Sequence, residues 1–155
     1  MGCARLPCAA GPVKVERMRQ ESGTLTIQTS GRALIDVTGE VAAWFTETGI
    51  AQGVLTLMVR HTSASLTIQE NAAREVRSDI LLWLDRLAPE GAQYDHDSEG
   101  ADDMPAHLKA MLTGVTLSIP VLDGGMRLGT WQGIYLCEHR VRPHRREIAL
   151  HLIGK

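Results

Sequence analysis

Residues Val54–Glu70 read VLTLMVRHTSASLTIQE. Two alternating runs carry the period of two that sends successive side chains to opposite faces of a strand. His61 closes the first run in phase with Leu55, Leu57 and Val59, and Glu70 closes the second in phase with Leu66 and Ile68. Both ionisable groups are therefore expected on inward faces. Further on, Met104–Leu112 reads MPAHLKAML, and helical spacing sets His107 on the side of Met104, Leu108 and Met111. A buried polar group without a partner is costly, so His61, Glu70 and His107 point to one shared site.

Working outward, Leu25–Thr29 and Arg32–Asp36 read as strands separated by the hairpin-like turn Ser30-Gly31. Thr38 is placed to cap a helix running to Thr48, with Val41, Trp44 and Phe45 on one face and Gly49 at its end. A second helix spans about Ala73–Leu87, with Val76, Ile80, Leu84 and Leu87 as its apolar stripe and Trp83 alongside. After an acidic loop, Asp103 is expected to cap the His107 helix, which Gly114 ends. Val115–Val121, a turn at Gly124-Gly125, and strands near 128–140 and 145–153 complete the pattern ββαββααβββ. That order predicts an α+β domain with three helices and mainly antiparallel sheet.

A chain of 155 residues suits one domain. Residues 1–12 carry no periodicity and are expected to form a flexible extension, with the domain over 13–155. The net charge of −2 disfavours a nucleic-acid partner. No apolar run approaches the roughly 18 residues of a membrane span, and no secretory leader is evident, so a cytoplasmic protein is expected. The three cysteines form no Cys-x-x-Cys pair; Cys137, within a strand, reads as a small core residue.

Candidate site residues follow from their chemistry. His61, His96 and His107 can together ligate a divalent ion such as zinc, although separations of 35 and 11 residues match no compact zinc motif. Separate histidines hydrogen-bonded within the fold are the alternative. Glu70 is the leading general acid/base, with an ion pair to an arginine as its other reading, and Glu138 is a possible second carboxylate. Thr62 and Ser63 follow His61 where their hydroxyls and amides can hold a phosphate oxygen, or make ordinary turn hydrogen bonds. Arg60 and Arg140 offer guanidinium forks for phosphate, while Arg142, Arg145 and Arg146 read as a basic, solvated run. Asp97, Glu99 and Asp102 can orient histidines or hold magnesium. Gln132 is the site candidate of Gly129–Gly133 (GTWQG); Trp131 beside it reads as packing more than as a stacking platform. His139, His144 and His151 read as structural or solvent-facing.

Four blocks in order, Arg60–Asn71, Tyr94–Gly100, Asp102–Lys109 and Ser118–Arg140, resemble the YjbQ-like family of secondary thiamine-phosphate synthases. The resemblance covers about Val13 to Gly154. It implies two packed sheets, a homotrimer with a site between subunits, and a reaction joining a hydroxymethylpyrimidine diphosphate to a thiazole phosphate with release of pyrophosphate. On this expectation the partner is a small phosphorylated substrate. A metal-dependent hydrolase or phosphatase, and a non-catalytic metal- or metabolite-binding trimer, are the rival readings.

Overall fold

The computed structural model describes residues 17–155, so the expected extension over 1–12 and the domain start at 13 lie outside the described residues. Along the chain run β1 (Arg19–Gln28), β2 (Ala33–Asp36), α1 (Thr38–Thr48), β3 (Gly53–Val59), β4 (Ala64–Glu70), α2 (Arg74–Leu87) and α3 (Asp103–Thr113). They are followed by β5 (Thr116–Leu122), β6 (Gly125–Met126), β7 (Gln132–Glu138) and β8 (Arg145–Gly154). The α+β expectation holds, with three helices and one short strand, β6, beyond the predicted order.

Two antiparallel sheets result, ordered β1-β8-β3-β5-β6 and β2-β7-β4. Leu55, Leu57 and Val59 of β3 and Ile148, Leu150 and Leu152 of β8 face Leu66 of β4 and Ile134 and Leu136 of β7 in one apolar core. Alternation alone dictates this: each strand gives every second residue to the space between the sheets. Val41 and Phe45 of α1 enter the same core.

The turn expected near Gly124 does join a hairpin, β5 with β6, but the hairpin-like turn at Ser30-Gly31 does not. β1 pairs with β8 while β2 pairs with β7, and β3 and β4 likewise lie in different sheets. The polar residues between them, Thr29–Arg32 and Arg60–Ser63, carry the chain from one sheet to the other. The β7–β8 connection crosses in the opposite direction. All three are stitched together: Thr29 Oγ1 donates to Glu138 at 2.9 Å, Arg146 Nη2 donates to Ser63 Oγ at 3.2 Å, and the Glu147 N–H donates to His61 Nε2 at 2.9 Å.

Several local expectations change. Asp36, not Thr38, accepts from the N-terminus of α1, through the Thr38 N–H at 2.9 Å; the Thr38 hydroxyl in turn accepts the Ile134 N–H at 2.8 Å and ties the helix to β7. Gly49 ends α1 in the left-handed region (φ 65), as a glycine does without penalty. Trp44 lies over Gly23, where an added Cβ would overlap the indole ring at its nitrogen. On α2, Leu84 is buried while Trp83 and Leu87 are exposed. On α3 the buried residues are Asp103, Pro105, Ala106, Lys109 and Ala110, and Met111 is exposed. The inner face of α3 is thus partly polar: Lys109 pairs with Asp85 at 2.5 Å, a geometry that composition could not reveal.

Candidate metal centre

Asp103 and His107 are four residues apart on α3 and so share a face. The acidic loop brings His96 against them. His96 Nε2 lies 2.7 Å and His107 Nε2 3.3 Å from the same Asp103 oxygen. The ligand atoms of His96, Asp103 and His107 all fall within 4.8 Å of one another, and the two rings are 5.6 Å apart, centroid to centroid. Asp103 is buried, whereas the histidines reach solvent.

The orientation of His107 is fixed from outside the cluster. Its Nδ1 donates to the Thr62 carbonyl at 3.0 Å, so in the neutral ring Nε2 carries the lone pair and faces a carboxylate oxygen. Two electron-rich atoms at that distance repel unless a cation, a proton or a metal ion, lies between them. This donor set fits a metal: two imidazoles and a carboxylate, one imidazole held by a backbone carbonyl.

Arg140 supports the other side. Its Nε donates to Asp102 at 3.0 Å, Nη1 to Asp103, and Nη2 to the Glu99 carbonyl at 2.9 Å. The expected phosphate fork is thereby committed to the two aspartates. Burial alone would raise the Asp103 carboxyl, but the His96 hydrogen bond and the Arg140 charge outweigh it and hold the pKa below the usual range. Asp102 is held low in the same sense, burial being overcome by the Val141 N–H and Arg140.

The three histidines expected to converge do so only in part. His61 is outside the cluster, and its Nε2 accepts the Glu147 N–H. It lines a cavity of about 860 Å³ together with His107, Arg60, Thr62, Ser63 and Arg146. Burial, then the nearby Arg146 charge, push the His61 pKa below its ordinary value. Arg60 is exposed and pairs with Glu147 at 3.0 Å.

Neither of the two carboxylates chosen for proton transfer belongs to the cluster. Glu138 is fully buried and accepts from Arg146 at 2.7 and 2.8 Å, from Thr29 at 2.9 Å and from the Arg140 N–H at 2.9 Å. Burial would raise its pKa, yet these donors outweigh it and hold the carboxyl low. Such surroundings suit a fixed anion, not a group that trades protons. Glu70 lies opposite Gln132 at the far end of the β4–β7 ladder, where Ala64 faces Glu138 at the near end. Seven residues of strand set these ends about 20 Å apart. Glu70 accepts the Ala73 N–H at 3.3 Å, and Gln132 Oε1 folds back onto the Gly129 N–H at 2.7 Å. Both line a separate cavity with Trp131, which is exposed instead of packed.

Sequence reading took Asp103 for a helix cap and did not include it among the candidate ligands; its i, i+4 relation to His107 was the available signal. It also missed Arg146, assigned to a solvated run but buried against Glu138. Cys137 meets expectation as an interior residue, and His139, read as structural or solvent-facing, proves to be buried. Burial, then the Lys109 charge, lower the His139 pKa to about 4, and burial raises the Cys137 thiol to about 11.

Comparison with known proteins agrees with this architecture. The family model described as UPF0047 protein YjbQ-like matches residues 23–155. A UPF0047 protein of Synechocystis is 45% identical over 138 residues, covering 88% of this chain and 94% of the relative. The UPF0047 protein YjbQ of Escherichia coli O157:H7 is 41% identical over 133 residues, covering 85% and 96%. Among solved structures, a YbjQ-like protein of unknown function from Sulfolobus solfataricus superposes with a TM-score of 0.84 at 26% identity, covering 90% of this chain and all of that one. A hypothetical protein of Aeropyrum pernix gives 0.81 at 32% identity, covering 87% and 99%. With its two sheets, its length and its blocks of sequence matched, the chain belongs to the YjbQ-like UPF0047 family.

Proposed function

We propose that this protein binds a divalent ion through His96, Asp103 and His107 and acts on a small phosphorylated substrate, transferring a group with loss of pyrophosphate. The observation that carries the reading is the His107 ring, whose Nδ1–H on the Thr62 carbonyl leaves Nε2 directed at Asp103. Nitrogen ligands favour zinc over magnesium, which prefers oxygen. When bound, such an ion offsets negative charge on a departing phosphate.

The finer reaction is the one implied by the family resemblance. A thiazole nitrogen attacks the pyrimidine methylene carbon; the C–N bond forms as the C–O bond breaks, and the electron pair leaves on pyrophosphate. The nitrogen enters with a neutral lone pair and becomes quaternary, so no proton is removed from it. A general base is not required, which accords with Glu138 being held ionised and Glu70 being remote. We extend the proposal to a homotrimer, in which Glu70 and Gln132 could reach the pocket only from a second copy. The exposed Met58 and Met111 at the cavity, and Trp131 beside Glu70, are surfaces such packing would cover.

The same donor set leaves room for a metal-bound water, and that favours a hydrolase as the second reading. The deciding experiment supplies both thiamine precursors to metal-free and zinc- or magnesium-loaded protein, and follows thiamine phosphate and pyrophosphate. Metal-dependent formation that disappears in Asp103→Asn supports the transferase. Faster cleavage of a phosphate ester supports the hydrolase. Stoichiometric metal binding with neither reaction leaves a binding module.

A further inference from the structure

We infer that His61, Ser63 and Arg146 form an anion subsite, outside the metal centre but in the cavity that His107 shares, gripping a phosphoryl or diphosphate group through hydrogen-bond donors alone. This deepens the reading of a phosphorylated substrate and assigns His61 a role other than ligation.

The His61 ring is held from one side. Its Nε2 lone pair is committed to the Glu147 N–H at 2.9 Å. The proton of the neutral ring therefore sits on Nδ1, which has no hydrogen-bond partner among the described residues. To bind a metal through Nε2 the ring would have to abandon a backbone N–H; through Nδ1 it would have to change tautomer. Left as it is, it offers the cavity an N–H.

Arg146 makes a similar offer. Its side chain is only 4% exposed, and its Nε and Nη2 are bonded to Glu138 and Ser63. Nη1 has no partner among the described residues, yet it is not sealed away: the buried side-chain atom lacking a partner there is His139 Nδ1. Ser63 Oγ accepts from Arg146, which frees its own hydrogen to point elsewhere. All three residues line the same cavity.

The neighbouring acceptors are already engaged. The Thr62 carbonyl takes His107, Glu138 takes Arg146, Thr29 and the Arg140 N–H, and Glu147 is paired with Arg60 and Arg145. A cavity floor with free donors and occupied acceptors selects a ligand rich in acceptors. An apolar or cationic group would leave those donors unsatisfied, and a neutral carbonyl or hydroxyl would meet them only with weaker bonds, whereas phosphate oxygens would take all of them in charge-assisted bonds.

The test uses the full chain with its histidine rings labelled with nitrogen-15, loaded with cadmium-113 and then titrated with inorganic pyrophosphate. We expect cadmium coupling at His96 and His107 but none at His61, whose Nδ1–H signal then moves on addition of pyrophosphate. Calorimetry should find pyrophosphate bound about tenfold more weakly by His61→Phe and by Ser63→Ala, with cadmium binding unchanged. Coupling at His61 overturns the proposal, as does failure of pyrophosphate to bind, or binding that leaves the His61 ring unmoved. If no histidine couples to cadmium while pyrophosphate still shifts His61, the subsite stands and the metal reading fails. The ring signals come from unsubstituted protein, so misfolding of a variant cannot mask the answer.

Discussion

His107 Nδ1 and the Thr62 carbonyl meet at 3.0 Å although 45 residues separate them in the chain. That bond joins α3 to the crossing between the two sheets and sets which ring nitrogen faces Asp103. Formation of the candidate centre is thus coupled to closure of the sheets, since neither partner is positioned by local structure alone. A ligand-bearing helix docked this way can present Nε2 without rearrangement when an ion arrives.

Removing a ligand should abolish tight binding. Asp103→Asn keeps the shape of the side chain but deletes its charge, and we expect zinc affinity to fall by more than about a hundredfold, beyond the range seen when only an outer partner is lost. A competition titration against a chelator measures this. Zinc binding as tight as in the unsubstituted protein would show that the cluster is not the site.

Arg140→Met should act through the aspartates. With the guanidinium gone, Asp102 and Asp103 remain largely buried without their cation, at a cost of about 3 kcal/mol in stability. Zinc affinity should drop by about ten- to a hundredfold, because the carboxylate is no longer oriented. Urea unfolding and the same chelator competition give the two numbers; unaltered zinc affinity would deny Arg140 its orienting role.

His139 should make the fold acid-sensitive. Its Nε2 is 2.7 Å from Ser65 Oγ, its Nδ1 is buried without a partner among the described residues, and burial followed by the Lys109 charge lower its pKa to about 4. The unfolded chain, with an ordinary histidine near 6.5, takes up the proton first as pH falls. Stability is therefore full above about pH 6.5 and is lost between there and about 4, by about 2 kcal/mol at pH 5. Unfolding curves at pH 7.5 and pH 5 for the unsubstituted protein and His139→Gln test this: the difference in pH dependence between the two should match that figure. Parallel curves would refute it.

Gly23→Ala should disturb the contact between β1 and α1. A methyl group there would overlap the Trp44 indole, and overpacking of this kind costs about 1–3 kcal/mol. A lowered melting temperature with altered tryptophan fluorescence is expected. A second change, Trp44→Leu, should restore part of the loss; no recovery would place the strain elsewhere.

Much of the fold was legible because it depends on neighbours in sequence. Leu55, Leu57 and Val59 alternate, and they pack inward on β3 as alternation requires. Gly49 and Gly114 end helices where they were expected to. The errors share a cause. Ser30-Gly31 resembles a hairpin turn, yet β1 and β2 go to different sheets, because strand pairing is chosen by distant β8 and β7. Met111 has core character and helical phase with His107, but it is exposed: the inner face of α3 is set by Asp85, Arg140 and the loop that meet it.

The sequence by itself determined the α+β class, the strands that alternate, the glycines that end two helices and the family, since periodicity, helix-stopping residues and blocks of residues are properties of the chain read in order. Only the tertiary structure decided which polar groups stand together. It paired His107 with Asp103 and His96, kept His61 with Arg146, and carried Glu70 to the opposite end of its sheet. The physical reason is that a hydrogen bond or a ligand set depends on distance through space, and that distance is fixed where the chain crosses from one sheet to the other.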